Sequence, residues 1–420
     1  MIKTSIQNRD SYIIYNQVVK SIESYLDQLH FLKLDLPVML PELIPESYLE
    51  VFETEYRYID SRKKLYLTPS PELLIKRLLV DGIGDCYYLD KSFRNSEPAS
   101  SKHLGEFTML ELYKVGADYM DISEVVLGLL QNIKYKISNI KINHGSIDPV
   151  LRQAQHDSGD DKLGRDDKVY VNDLVITYQG IKVDLSRWEK MTVAEAFKKY
   201  AGITSSELFD HDLFRKAAKR KGYATEIKNE KLKIKNESES PILSSIIQDQ
   251  KSHIDPVLRQ AQHDSGDDKL GRDDGQGEVE YFTYEELWSQ IYSNEVEPHL
   301  GKNGHPTLLY DYPVEFAALS KPNADGITAQ RFEFYIAGVE LGNCYSELTD
   351  WPLQEERLRK EQQERAKSGK ISHPTDWGFI ESLKKGLPDC SGIAIGVDRL
   401  AMIFADVDSI DKIKLVSFEM

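Results

Sequence analysis

Cysteine is scarce in this chain. Cys86, Cys344 and Cys390 are the only three among 420 residues, and their wide spacing forms neither a CxxC pair nor a disulfide framework. No apolar run is long enough to cross a membrane, and the N-terminus lacks a signal-type apolar segment. These absences together point to a reducing, cytoplasmic setting. Positive charge is in deficit, with 53 Lys and Arg against 69 Asp and Glu and a formal net charge of −16. That balance argues against broad electrostatic binding to nucleic acid, while leaving room for a local basic groove. Neither GxxxxGK[ST] nor GxGxxG occurs, so a nucleotide would not be held by a P-loop or a Rossmann turn.

What is present is a 40% apolar composition, enough for a substantial core in one large domain or two to three ordinary ones. The stretch at 91–113, KSFRNSEPASSKHLGEFTMLELY, reads as strand, polar loop, strand. Residues 86–94 are aromatic and apolar, and 96–105 are rich in Ser, Pro and Gly. In the return strand Phe107, Met109, Glu111 and Tyr113 share one face, and Thr108, Leu110 and Leu112 the other. Arg94 and Glu97 stand at the loop's entry. This mixture of aromatic, acid, phenol and arginine suits a pocket; the alternative is a hairpin with a solvated polar face.

Upstream, Val18, Ile22, Leu26 and Leu29 predict a helix near 15–29. Leu34, Leu36 and Val38 alternate as in a strand around Pro37, which places that strand at a sheet edge or against another subunit. In LYLTPSPELLIKRLL (65–79), Pro71 opens a helix after Ser70, with Leu74, Leu78 and Leu79 on its apolar side. Ser70, Pro71 and Glu72 then sit at a strand-to-helix junction.

The segment IDPVLRQAQHDSGDDKLGRDD occurs at 147–167 and again, unchanged, at 254–274. Solenoid repeats are contiguous, and these are not. Its Asp run lacks the spacing and closing Glu of an EF-hand loop. Both copies are expected to be exposed, disordered insertions, the second reached through a charged linker at 228–241. Between them the pattern predicts two strands around Gly180, then a helix. Further on it predicts a helix at 281–300 with Leu287 and Ile291 inward, a strand at 308–313, and a solvated helical connector at 355–370.

Residues 331–350 read as a hairpin turning at Ala337-Gly338. Glu340 and Glu347 are seven apart, on opposite faces of a regular strand unless Gly342-Asn343 supplies a bulge. Converging, they would hold Mg²⁺ beside a triphosphate; otherwise they are two exposed edge acids. In GLPDCSGIAIGVDRLAMIFAD (386–406), Gly392, Ala394 and Gly396 leave one strand face nearly bare, so a flat ligand can approach closely. Arg399 falls in the first turn of the following helix, against the dipole. Arg94 and Arg399 are candidates for phosphate, and Phe107 for stacking on a base.

Together these pieces resemble the three signature motifs of class II aminoacyl-tRNA synthetases. Pro37 matches the first. Phe93-Arg94-Asn95…Glu97, Phe107 and Glu111 match the second, and Gly396-Val397-Asp398-Arg399 the third. EFTMLELY, GNCYSELTD and GLPDCSGIAIGVDRL are similar to the lysyl branch. Within that branch PDCSGIAIGVDRL, with Ala394, is most similar to the elongation factor P lysine ligases. The stretch before the first motif is too short for the anticodon-binding barrel of lysyl-tRNA synthetases.

The resemblance implies an α+β fold, an antiparallel sheet flanked by helices. It implies a single catalytic domain over 1–420, interrupted at 145–168 and 228–278, and a homodimer. It implies ATP and Mg²⁺, with adenylation of (R)-β-lysine or lysine and transfer to a lysine side chain of elongation factor P, tRNA not being the expected acceptor. The alternatives are a truncated lysyl-tRNA synthetase-like enzyme and a non-catalytic paralogue. By the same resemblance Arg94 and Arg399 are catalytic. Asn95, Glu97, Leu104, Phe107, Glu340, Leu341 and Gly396 complete the ATP site. Ser70, Pro71, Glu72, Tyr113 and Glu347 hold the amino acid, and Glu340 and Glu347 the metal. The chain departs from the family's FRNE: either Ser96 is inserted and Glu97 keeps the acid's role, or Ser96 replaces it. Leu104 stands where the ligases carry Asn, so its contact would be through backbone.

Overall fold

The computed structural model describes residues 2–46, 49–59, 61–95, 100–139, 174–227, 280–317, 319–367 and 369–418. The repeated segment at 147–167 and 254–274, the linker at 228–241, and Ser96 and Glu97 lie outside the described residues.

Eight strands build the central sheet: β1 (Leu32–Leu34), β2 (Cys86–Phe93), β3 (Glu106–Val115), β4 (Glu189–Thr192), β5 (Thr307–Pro313), β6 (Thr328–Ile336), β7 (Val339–Ser346) and β8 (Cys390–Gly396). Their spatial order is β4-β5-β6-β7-β8-β3-β2-β1. The six inner strands are antiparallel, and β1 and β4 join the two edges in parallel. The helices that matter here are α1 (Arg9–Gln28), α2 (Glu72–Val80), α3 (Tyr119–Ser138), α4 (Tyr284–Ile291), α5 (Trp351–Lys367), α6 (Trp377–Leu383) and α7 (Val397–Phe404).

Strand alternation divides the sheet into two chemistries. Leu112, Ile393, Cys344 and Phe332 lie in one row across β3, β8, β7 and β6, and Leu110, Ile395, Gly342 and Phe334 in the next. Against this face pack Val18 and Ile22 of α1, Val126 and Leu130 of α3, and Leu400 of α7, all fully buried. Each such aliphatic side chain contributes about 1.5–3 kcal/mol by leaving water. The opposite face reads Tyr113, Gly392, Tyr345, Arg331 in one row and Glu111, Ala394, Asn343, Glu333 in the next. At one end α2 and α6 cover that face through Leu73, Leu79, Phe379 and Ile380. At the other, Leu287, Trp288 and Ile291 of α4 pack on Tyr312 and Tyr335. Between the two covers, clefts reach these rows although Tyr113, Arg331, Glu111 and Glu333 are themselves buried.

Most of the expected elements form, with instructive shifts. The first helix starts earlier, at Arg9, and Leu29 caps it in a 40% exposed position. Pro37 lies in no strand. β1 stops at Leu34 and a separate three-stranded sheet begins at Met39–Leu40, because proline has no N–H for the ladder. α2 buries Leu73, Ile75, Lys76 and Leu79 rather than Leu74 and Leu78. The hairpin at 337–338 turns through two residues with positive φ, Ala337 (+51°) and Gly338 (+79°). A bulge does occur in β7, at Leu341: Tyr335 pairs with Glu340 and Phe334 with Gly342. It restores the parity that puts Glu340 on the face of Asn343 and Tyr345.

The helix at 355–370 departs from expectation in one respect. α5 is charged almost throughout, but Arg365 is 4% exposed. Its guanidinium donates to the carbonyls of Glu46 (2.6 Å), Leu49 (2.7 Å) and Ile371 (2.8 Å), clamping a distant loop.

Candidate active site

Two adjoining clefts open on the polar face. The first, about 800 Å³ and open to solvent, is lined by Leu104, Phe107, Leu341, Gly396, Glu340 and Arg399. The second, about 640 Å³, is lined by Ser70, Glu72, Glu111, Tyr113, Tyr345 and Arg331. Arg94, Asn343 and Ala394 border both. Arg94 follows β2 directly; its backbone N–H donates to the Gly105 carbonyl (2.9 Å), and its guanidinium lies 5.4 Å from the centre of the Phe107 ring.

Each wall follows from the fold. Asp398, in the first turn of α7, accepts from the Thr108 N–H (2.6 Å) and pairs with Lys414, locking α7 to β3. The next residue, Arg399, donates to the Lys102 carbonyl (3.1 Å) and the Glu340 carbonyl (3.2 Å), and meets the Glu340 carboxylate at 3.4 Å. Opposing the helix dipole is thus offset by three oxygen acceptors. A Cβ on Gly396 would make ordinary van der Waals contact with the Arg399 side chain, at 3.7 Å. Gly392 differs: a Cβ there would overlap the Tyr113 ring. Its bareness makes space for a wall, not directly for a ligand. Gly392→Ala is expected to push Tyr113 out of place and to cost about 1–3 kcal/mol of stability, read as a fall in the denaturation midpoint.

The second cleft is a desolvated acid cluster. Lys76, 2% exposed, lies 2.5 Å from both Glu72 and Glu347. Burial disfavours its ammonium, but Glu347 and Glu72 outweigh that and hold its pKa above the ordinary value. Tyr345 Oη donates to Glu72 (2.5 Å). Glu111 accepts from Ser70 Oγ (2.6 Å) and Tyr113 Oη (3.3 Å). Burial and then Glu72 push the Glu111 carboxyl up to about 8, against the pull of Ser70 and Arg94.

A raised folded-state pKa binds protons more tightly than the unfolded chain, whose value is near 4.5. Stability from this group is therefore complete below about pH 4.5 and lost as pH rises through about 8. Wild-type Tm is expected to fall more steeply between pH 6 and 9, on the order of a few °C more, than that of Glu111→Gln, which cannot ionise. Parallel slopes in the two melting series would contradict the assignment.

Several expected site residues move or drop out. Asn95 turns away: its amide donates to the Val51 carbonyl (3.3 Å) and its N–H to Glu50 (2.9 Å). Pro71 serves as the N-cap position of α2 without bonding through its side chain, while Ser70 Oγ accepts the Glu72 N–H (3.1 Å). Glu347 is not paired with Glu340 around a metal, because Lys76 has taken its carboxylate. Among the described residues no three His, Cys, Asp or Glu side chains form a metal cluster. Glu340 alone of the two acids faces the first cleft, and a single carboxylate fits Mg²⁺ when phosphate oxygens supply the other ligands.

Residues absent from the expected set are Glu46, Lys76, Arg331, Asn343 and Tyr345. Four carried a signal. Arg331 and Glu333 alternate with Phe332 and Phe334, Asn343 and Tyr345 continue that parity across the hairpin, and Lys76 is four residues after Glu72. Glu46 carried none, since it lies in a loop.

This arrangement is that of a class II synthetase catalytic core: an antiparallel sheet flanked by helices, with an arginine from a strand–loop–strand hairpin and another from the helix after the last sheet strand. The chain belongs to the family described as tRNA synthetases class II (D, K and N), whose model matches residues 4–417. It is 30% identical over 404 residues to the lysine–tRNA ligase of Carboxydothermus hydrogenoformans, covering 96% of this chain and 64% of that protein. With the lysine–tRNA ligase of Moorella thermoacetica it shares 31% over 401 residues, 95% of this chain and 63% of that one. With that of Listeria monocytogenes it shares 28% over 414 residues, 98% and 64%. The chain thus spans a little under two thirds of the length of these relatives. Their names lend no support to the expectation that tRNA is not an acceptor. Among the described residues no helix is long and apolar enough to cross a membrane.

Proposed function

We propose that this chain is an ATP-dependent aminoacyl ligase. It activates a lysine-type amino acid, preferably (R)-β-lysine, as the adenylate, and passes it to a lysine side chain of elongation factor P. The observation that carries the reading is Arg94 at the seam of two clefts of complementary charge. One cleft offers Arg399 and the Phe107 ring, and the other a set of buried acids. Acids suit a substrate with two ammonium groups. Phe107 and Arg399 offer an aromatic face and a guanidinium plane to the base.

The substrate carboxylate attacks the α-phosphorus of ATP, and the bond to the β-phosphate oxygen breaks as pyrophosphate leaves. No side chain needs to move a proton in this step. Arg94 and Arg399 act by holding positive charge where negative charge builds up. Magnesium, when bound, would neutralise phosphate charge, and Glu340 is the side chain placed to hold it. Ser70, Glu72 and Tyr113 orient the amino acid. A homodimer is the working form we infer, supported by the exposed Tyr56, Tyr58 and Ile59 on the sheet that follows Pro37.

Support for a protein acceptor comes from the wording of residues 388–400 and the net charge of −16. Charging of tRNA is the second reading, favoured by the names of the relatives. Amino-acid-dependent ATP–pyrophosphate exchange, followed by transfer of labelled lysine or β-lysine to elongation factor P or to tRNA, separates the two. Label on tRNA alone would overturn the first reading. No exchange with any amino acid would leave the non-catalytic paralogue.

A further inference from the structure

Three acids line the amino-acid cleft, Glu46, Glu72 and Glu111. Two of them are already engaged by the protein. Glu72 is bonded by Lys76 and Tyr345, and Glu111 by Ser70 and Tyr113. Just outside the cleft lining, Glu347 is held by Lys76. The Glu46 carboxylate makes no hydrogen bond or ion pair among the described residues, although it shares the cleft with Arg94.

The loop that carries Glu46 is built, not incidental. The buried Arg365 reaches across from α5 to the carbonyls of Glu46 and Leu49, and Glu46 N–H donates to the Ile44 carbonyl (3.0 Å). Glu46 comes from a loop outside the sheet, whereas Gly392 and Ala394 line the same cleft from β8. Glu46 is partly buried and feels Arg94 and Arg365 through charge alone, with no donor in bonding contact among the described residues. A cationic donor carried by a ligand would supply that contact.

We propose that Glu46 is a specificity residue that seats one of the two ammonium groups of a diamino-acid substrate. This rests on the adenylating function proposed above and assigns its selectivity for a second amine. Burial pushes the Glu46 carboxyl up to about 7, with Arg94 drawing it down and Glu72 raising it. An incoming ammonium offsets the cost of that desolvation by favouring the ionised carboxylate.

The test uses the full chain. In ATP–pyrophosphate exchange, Glu46→Gln is expected to raise the KM for lysine or β-lysine about 30-fold, the size of one lost charge-assisted bond. The kcat and the ATP KM should stay within about threefold. Glu46→Asp should recover part of the loss. Norleucine, which lacks the second amine, should respond equally in wild type and variant. An unchanged KM for the diamino acids overturns the assignment, as does an equal loss in kcat and both KM values, the mark of a merely structural role. Calorimetric titration with lysine and with cadaverine reads the seat without turnover. Wild-type binding that weakens in Glu46→Gln, with no exchange in either protein, would keep the seat and refute the adenylating function. Wild-type binding unaffected by the substitution would refute the seat alone. No binding of either diamine by the wild type would refute both.

Discussion

Arg94→Ala is expected to lower amino-acid-dependent ATP–pyrophosphate exchange by about 10³-fold, the upper range for removing one preorganised donor from a developing negative charge. The fold should survive. What Arg94 contributes to stability through the Phe107 ring, at 5.4 Å, is about 0.5–1 kcal/mol. The thermal midpoint should therefore shift by only a few °C, while turnover all but vanishes. Because Arg94 borders both clefts, the damage should appear mainly in kcat, where carboxylate and phosphate meet. Arg94→Lys keeps the charge but loses the planar fork, and should recover only a fraction of the activity. Exchange near the wild-type rate in Arg94→Ala would remove the arginine from the reaction.

Lys76→Met is expected to have the largest effect on stability. Lys76 is the cation that lets Glu72 and Glu347 share one buried space, at 2.5 Å from each. Removing it leaves two carboxylates without a counter-charge in a desolvated position, which costs about 3–5 kcal/mol. The loss can be measured as a fall in the denaturation midpoint at constant m-value. Combining Lys76→Met with Glu347→Gln should regain a large part of it, because the second change removes one of the stranded charges. If the double variant is no more stable than the single one, the Lys76–Glu347 pair is not what holds this end of the sheet. The amino-acid cleft should suffer in step, since Glu72 takes its orientation from Lys76 and Tyr345.

How much of this was legible depended on whether the relevant partner was close in sequence. The face shared by Phe107, Glu111 and Tyr113 could be read directly, because strand alternation is a local property. So could the bare face of Gly392, Ala394 and Gly396, and the turn at Ala337-Gly338. Parity points to a bulge at Gly342-Asn343, but it lies at Leu341, because its position is decided by the cross-strand pairing of Phe334 with Gly342. For Glu347 the sequence supports both a metal and an amino-acid role, since nothing adjacent to it reveals that Lys76, on another element, pairs with its carboxylate. Arg365 looked solvated within a charged helix for the same reason: its acceptors are 6 and more than 300 residues away.

By itself, then, the sequence determined the α+β character of the chain, the polar face of β3, the two arginines and the motifs that mark the class II family. These follow from periodicity and residue type, which neighbours along the chain set between them. The tertiary structure alone decided which acids are free to meet a ligand. Glu72 meets Tyr345, Glu111 meets Ser70 and Glu347 meets Lys76 only when α2, β3 and β7 are brought together, and Arg365 clamps the loop that carries Glu46. A carboxylate's role is set by the cations and donors within a few ångströms of it, and the fold supplies them from distant parts of the chain.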